Sequence, residues 1–241
     1  MSARKLVDEV ARLRPDVVDP AGAIRAGQVL VDGRFVDNPA SALRPGSSVV
    51  VRDETPLRGE AKLAAALAGF SVSVTGRVAL DAGAATGGFT RVLLAAGARR
   101  VYAVDAGHGQ LLGSLRQDDR VVNLENTNLG ALDRHLVPEP VEVVTLDLSY
   151  LALADAVGQL DVVTVAPAAD LVALVKPMFE LRLATAPHDR ASLDEALARA
   201  ATAITAAGWT VLASMDSPVA GARGAPELLL HAHRHSEKRS V

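Results

Sequence analysis

An apolar strand that runs into a loop of small residues, then a helix, then a second strand ending in an acid constrains this chain more than anything else in it. The stretch reads Val78-Ala79-Leu80-Asp81-Ala82-Gly83-Ala84-Ala85-Thr86-Gly87-Gly88-Phe89-Thr90, followed by Val101-Tyr102-Ala103-Val104-Asp105. With a carboxylate about two dozen residues after the first acid, it outlines a Rossmann-type nucleotide pocket. The glycines permit positive φ and let backbone amides approach a ligand, and Asp105 at a strand tip suits two hydrogen bonds from a ribose diol. The loop is Asp81-x-Gly83-x-x-Thr86-Gly87-Gly88 rather than Gly-x-Gly-x-x-Gly. That order fits a ligand without a pyrophosphate and with a cationic amino-acid end, and S-adenosylmethionine is such a ligand.

From Val78 onward apolar runs alternate with helical stretches, which predicts an α/β fold with a doubly wound, mainly parallel sheet. Strands are expected near 78–82, 101–105, 120–124, 142–147, 171–176, 209–215 and 226–233, and helices over 87–97, 109–117, 151–160 and 191–207. Residues 1–55 form a small α+β module: a helical start on Leu6, Val10 and Leu13, β runs around the Asp32-Gly33 turn within 23–36, and a closing strand at Val49-Val50-Val51. Residues 56–69 read as a linker (Pro56 to Glu60) and a short helix from Lys62, and residues 70–241 as the larger domain. Hydrophobic residues make up 49% of the chain and aromatics only 3%, so the core rests on Val, Leu and Ala. The absence of cysteine excludes disulfides, thiolate metal sites and cysteine nucleophiles. No apolar stretch has membrane-helix length and the N-terminus is charged, so a soluble, cytoplasmic protein without membrane contact is expected. A net charge of −3 gives no overall basic bias toward nucleic acid.

Open α/β sheets hold ligands beyond the carboxyl ends of their strands, which makes the residues ending each apolar run candidates for chemistry. The run at 143–146 ends in Asp147-Leu148-Ser149, and the run at 171–175 ends in Lys176-Pro177-Met178-Phe179-Glu180. An acid and a lysine at adjacent strand tips would stand side by side over the ligand. They form either a structural ion pair or a reactive set, in which burial and nearby cations lower the lysine pKa so that it can deprotonate a hydroxyl. Lys62 is a candidate cation and Glu227 a candidate orienting acid. The alternate histidines at 231, 233 and 235 suggest a metal less than they suggest an exposed polar tail; no metal site is expected.

The motifs at 81–90 and 101–105, with Gly109-Gln110-Leu111, Leu115-Arg116-x-Asp118-x-Arg120-Val121, Glu125-x-Thr127-Asn128, Asp147-Leu148-Ser149, Leu174-Val175-Lys176-Pro177-x-Phe179-Glu180 and Ser217-Pro218-x-x-Gly221, together resemble the TlyA (haemolysin A) family over nearly the whole chain. Residues 23–51 are similar to that family's N-terminal RNA-binding module. The resemblance implies an FtsJ-like, Rossmann-like methyltransferase domain that uses S-adenosylmethionine for 2′-O-methylation of ribosomal RNA. It implies a Lys-Asp-Lys-Glu tetrad at Lys62, Asp147, Lys176 and Glu227, and cofactor contacts from Asp81, Gly83, Thr86, Gly87, Gly88, Phe89, Asp105, Asn128 and Asp147.

Departures from the family pattern fall on the acceptor side. The Ser-Arg pair that opens the family's second helix is replaced by Val18-Asp19-Pro20-Ala21, and residues 1–55 carry eight Lys or Arg against eight Asp or Glu. A neutral module grips phosphate poorly. The family's Tyr-Val-Ser-Arg-Gly-Gly-x-Lys-Leu becomes Leu57-Arg58-Gly59-Glu60-Ala61-Lys62-Leu63, its glycine-rich, lysine-bearing loop becomes Leu181 to Asp189, and its Gly-Asn-x-Glu becomes Gly224-Ala225-Pro226-Glu227. Two acceptors therefore stay open: ribosomal RNA, and a small molecule in a reshaped pocket. For RNA, the arginines at 4, 12, 14, 25, 34 and 58 should converge on one face. For a small acceptor, segments 181–190 and 218–226 should close an apolar cavity. Oligomeric state is not legible.

Overall fold

Continuous burial of the central strands explains why they read as unbroken apolar runs. The computed structural model describes residues 4–25, 28–51 and 57–234. The N-terminal module comprises helices α1 (Leu6–Leu13) and α2 (Pro20–Arg25) and strands β1 (Val29–Val31), β2 (Arg34–Phe35) and β3 (Val49–Val51), in the antiparallel order β2-β1-β3. Asp32 (φ 50°) and Gly33 (φ 80°) are both left-handed, as a two-residue type I′ hairpin turn requires. Leu6, Val10, Ile24 and Val29 form a small core, whereas Leu13 is 39% exposed instead of completing the helical stripe. Ala23 and Ile24, expected in a β run, lie in α2; Pro20 opens that helix and Asp19 accepts the Gly22 N–H, which suits proline's fixed φ and a side-chain cap.

The larger unit opens with α3 (Arg58–Gly69) and continues through β4 (Val78–Ala82), α4 (Gly88–Ala95), β5 (Arg100–Val104), α5 (Gly113–Arg116), β6 (Val121–Leu124), β7 (Val141–Leu146), α6 (Leu153–Ala156), β8 (Val165–Val175), α7 (Pro177–Glu180), α8 (Arg190–Ala206), β9 (Trp209–Asp216) and β10 (Leu228–Arg234). Its sheet order is β6-β5-β4-β7-β8-β10-β9; β4 to β8 run parallel, and β10 is antiparallel to both its neighbours. Alternate residues feed two cores. Val78, Leu80, Val144, Leu146 and Leu171 pack on the face that carries α6 and α8, and Ala79, Val143, Val172 and Leu174 on the face with α3 and α4.

The chain runs outward from β4 to β6 and then returns to lay β7 against β4's other edge. That reversal opens a crevice at the carboxyl ends of β4 and β7, where open α/β sheets bind ligands. Gly83 (φ +90°) shows how tight the crossing is: a Cβ there would lie 2.3 Å from the Asp147 carbonyl oxygen.

The reading of 231–235 as an exposed polar tail does not hold for His231 and His233, which lie within β10. His231 Nε2 is 2.8 Å and His233 Nδ1 3.3 Å from Asp170 Oδ1, and Arg77 Nη1 donates to Asp170 Oδ2 at 2.6 Å. Phe70 stacks on the buried His231 ring. Burial works to raise the Asp170 pKa, but donation from His231, Arg77 and His233 outweighs it and holds the carboxyl below its usual range. His235 and Pro56, which the sequence placed in the tail and the linker, lie outside the described residues.

Candidate active site

Three cavities form a trough along the strand ends. The middle one, about 380 Å³, is floored by the loop after β4 (Gly83, Ala84, Ala85, Thr86, Gly88, Phe89) and Asp147, and roofed by Leu57, Arg58 and Gly59. The roof is close because two glycines meet: a Cβ on Gly88 would come within 3.1 Å of the Gly59 Cα. Thr86 leads into a cavity of about 710 Å³ that it shares with His108 to Leu111 and with Leu30, Gly33, Arg34 and Asp37 of the N-terminal module. On the other side, Arg58 and Asp147 lead into a cavity of about 330 Å³.

Of the residues expected to hold the cofactor, Gly83, Thr86, Gly88, Phe89 and Asp147 line the middle groove. Asp105 stands beside it, with Oδ2 accepting the Ala85 N–H at 2.9 Å and Oδ1 the Gly107 N–H at 2.6 Å. These bonds fix the loop and leave lone pairs for further donors. Three residues are placed differently. Asp81 is fully buried behind the loop, taking hydroxyl donors from Thr90 (2.6 Å) and Thr145 (2.9 Å); burial pushes its pKa up to about 6 against those hydrogen bonds. The carboxylate that faces the groove is Asp147. Gly87 (φ +96°) packs away from the groove, where a Cβ would strike Leu115 Cδ1 at 2.1 Å. Asn128 is exposed and opens the short 3₁₀ helix Leu129–Ala131.

Lys62, Asp147, Lys176 and Glu227 all line the 330 Å³ cavity. Asp147 and Lys176 follow the hydrogen-bonded strands β7 and β8, and Lys176 Nζ lies 2.7 Å from Asp147 Oδ1 and 3.1 Å from Ser149 Oγ. Lys62, on α3, is buried with its Nζ 2.5 Å from Glu227 Oε2, at the foot of β10. The remaining walls are mostly apolar: Pro177, Met178 and Phe179 of α7, then Ala186, Ala222, Ala225 and Pro226.

Reading residues 56–60 as a linker missed Leu57, Arg58 and Gly59. The available signal was Glu60, three residues into the helix, whose carboxylate accepts the Leu57 N–H. Glu125, also missed, accepts the N–H groups of Gln110 and Leu111 and pairs with Arg116. It thereby holds the loop that walls the 710 Å³ cavity; burial opposes its ionisation, but those amides keep its pKa lowered.

The groove's contents fit S-adenosylmethionine: glycine backbone at the switch point, a facing carboxylate for a cationic end, and Asp105 at the β5 tip for a ribose. Residues 56–234 match the FtsJ-like methyltransferase family. The chain is 38% identical over 230 residues to the 16S/23S rRNA (cytidine-2′-O)-methyltransferase TlyA of Mycobacterium tuberculosis, covering 90% of this chain and 84% of that one. A solved Streptococcus thermophilus structure described as a hemolysin superposes with a TM-score of 0.71 at 29% identity, over 98% of this chain and 90% of that one. A Listeria monocytogenes structure described as an S-adenosylmethionine dependent methyltransferase shares the fold, with a TM-score of 0.55 at 15% identity over 75% of this chain and 99% of that one.

Proposed function

Because the chain belongs to the FtsJ-like methyltransferases and is an S-adenosylmethionine-dependent enzyme, we propose that it methylates a ribose 2′-hydroxyl of ribosomal RNA, with Lys62, Asp147, Lys176 and Glu227 as its reactive set. The observation that carries this reading is the paired arrangement of two lysines and two carboxylates in one cavity that shares Asp147 with the cofactor groove. Identity to the Mycobacterium tuberculosis enzyme across 90% of the chain supports the acceptor. On this reading residues 1–55 are the RNA-facing module, residues 70–241 the transferase domain, and the cytoplasm the site of action. Among the described residues no helix is long and apolar enough to cross a membrane.

S-adenosylmethionine, when bound, supplies an electrophilic methyl group on a sulfonium. As a neutral amine Lys176 takes the hydroxyl proton, or as an ammonium it holds the developing alkoxide, with Asp147 and Ser149 fixing its Nζ. Lys62 adds positive charge beside the acceptor, and Glu227 keeps that charge in place. Much of the rate comes from aligning the hydroxyl with the methyl.

One observation favours a second reading, a small-molecule acceptor. Ala186, Ala225 and Pro226, from the two stretches that depart from the family pattern, wall the cavity together with Gly221 and Ala222. In addition, Arg4 and Arg12 are held by Glu9 and Arg14 by Asp16, so these arginines are engaged by their own module's acids. Incubation of the protein with methyl-labelled S-adenosylmethionine and purified ribosomal subunits, followed by digestion to nucleosides, separates the two. The ribose reading expects a labelled 2′-O-methylnucleoside. Label confined to a parallel small-molecule extract of the host cell would replace it with the second reading.

A further inference from the structure

Five ionisable side chains line the 330 Å³ cavity, and four of them neutralise one another as Lys62–Glu227 and Lys176–Asp147. The fifth is Arg58, an exposed residue whose Nη1 donates to the Gly221 carbonyl at 3.5 Å, the outer limit of a hydrogen bond. Among the described residues no carboxylate lies within ion-pair distance of it. The cavity therefore holds three cations against two anions, with the surplus charge on a guanidinium at the seam between acceptor cavity and cofactor groove. Arg58 borders both spaces, and its Nη1 contact with the Gly221 carbonyl lies on the side of the 330 Å³ cavity.

We propose that Arg58 binds a phosphodiester oxygen of the acceptor RNA, on the phosphate next to the ribose whose hydroxyl reacts. This rests on the ribose reading above. A guanidinium presents paired N–H donors that match phosphate oxygens. The 3′-phosphate is one carbon away from the 2′-hydroxyl, so a group that clamps it fixes the hydroxyl against Lys176. With Arg4, Arg12 and Arg14 tied to their own module's acids, this contact carries weight that basic modules normally spread over many residues.

The test compares wild type, Arg58→Gln and Arg58→Lys on ribosomal subunits across a series of KCl concentrations, with S-adenosylmethionine Kd measured by calorimetry for each. Loss of one charged phosphate contact should raise the RNA KM of Arg58→Gln about tenfold. It should also make the slope of log kcat/KM against log salt shallower by about 0.7 to 0.9. Cofactor Kd should stay within about twofold, and Arg58→Lys should recover the slope. An unchanged KM and slope in Arg58→Gln would overturn the proposal. So would a weakened cofactor Kd at constant RNA KM, which would assign Arg58 to the cofactor's carboxylate. Wild-type protein that labels no RNA would instead bring down the ribose reading itself, a result visible before any variant is compared.

Discussion

Lys62 Nζ lies 2.5 Å from Glu227 Oε2 across 165 residues of sequence, and both side chains are 7% exposed. The pair ties α3 to the foot of β10 and makes one wall of the 330 Å³ cavity. Removing one partner of a buried pair strands a charge, at a cost of about 3–5 kcal/mol. Glu227→Ala should therefore lower unfolding stability by an amount in that range in urea titrations, whereas Lys62→Met/Glu227→Leu should recover most of the loss and remain inactive. A double variant as unstable as Glu227→Ala would contradict the pairing.

Gly83→Ala should be far worse than Gly208→Ala. Its Cβ would meet the Asp147 carbonyl at 2.3 Å, while Gly208, also at positive φ, has open space around it. Gly208→Ala carries only backbone strain, about 1 kcal/mol, whereas overpacking a backbone contact adds about 1–3 kcal/mol more. Urea unfolding of both, with cofactor titration, checks the ordering; Gly83→Ala should also lose cofactor binding.

Asp81 predicts a pH signature. Burial pushes its folded pKa up to about 6 from the ordinary aspartate value of 3.8, so between those values the folded state holds the proton more tightly than the unfolded one. The neutral-form advantage is full below pH 3.8 and is lost as pH rises through about 6. At a fully buried site that amounts to roughly 3 kcal/mol. Wild type should lose that much stability relative to Asp81→Asn between pH 4 and pH 7, measured by urea unfolding of both proteins. A difference that stays flat with pH would show that Asp81 does not titrate there.

Asp105 anchors the glycine loop through Ala85 and Gly107. Asp105→Ala should raise the cofactor Kd by about tenfold or more, consistent with loss of charge-assisted hydrogen bonds, while leaving transfer at saturating cofactor much less affected. Isothermal titration against single-turnover rates checks the split.

The parts that sequence made legible are those governed by local rules. Parallel strands buried on both faces are continuous apolar runs, and a strand tip in such a sheet is where Asp147 and Lys176 had to emerge. What stayed hidden depends on partners distant in sequence. His231 and His233 look like a polar tail until Asp170, some sixty residues away, supplies their acceptor. The first half of β8 was missed because Pro167 and Asp170 interrupt its apolar run, although β7 pairs with Val165 and both β7 and β10 pair with Asp170. Asp81 looked like a ligand for a cation because nothing local shows that Thr90 and Thr145 occupy both its oxygens. Arg58 and Gly59 looked like linker because the Gly59–Gly88 approach exists only once α3 meets α4.

On the proposed reading Lys176, held by Asp147 at 2.7 Å, acts on the acceptor hydroxyl and not on the cofactor. The most direct measurement is the single-turnover rate of methyl transfer by Lys176→Ala to an acceptor that wild type methylates, with S-adenosylmethionine Kd determined on the same preparation. The rate should fall by about a hundredfold or more, the scale of lost general acid–base catalysis, with Kd within about twofold of wild type. A Lys176→Ala protein that transfers methyl at the wild-type rate, or that loses transfer only through a weakened cofactor Kd, would contradict that reading.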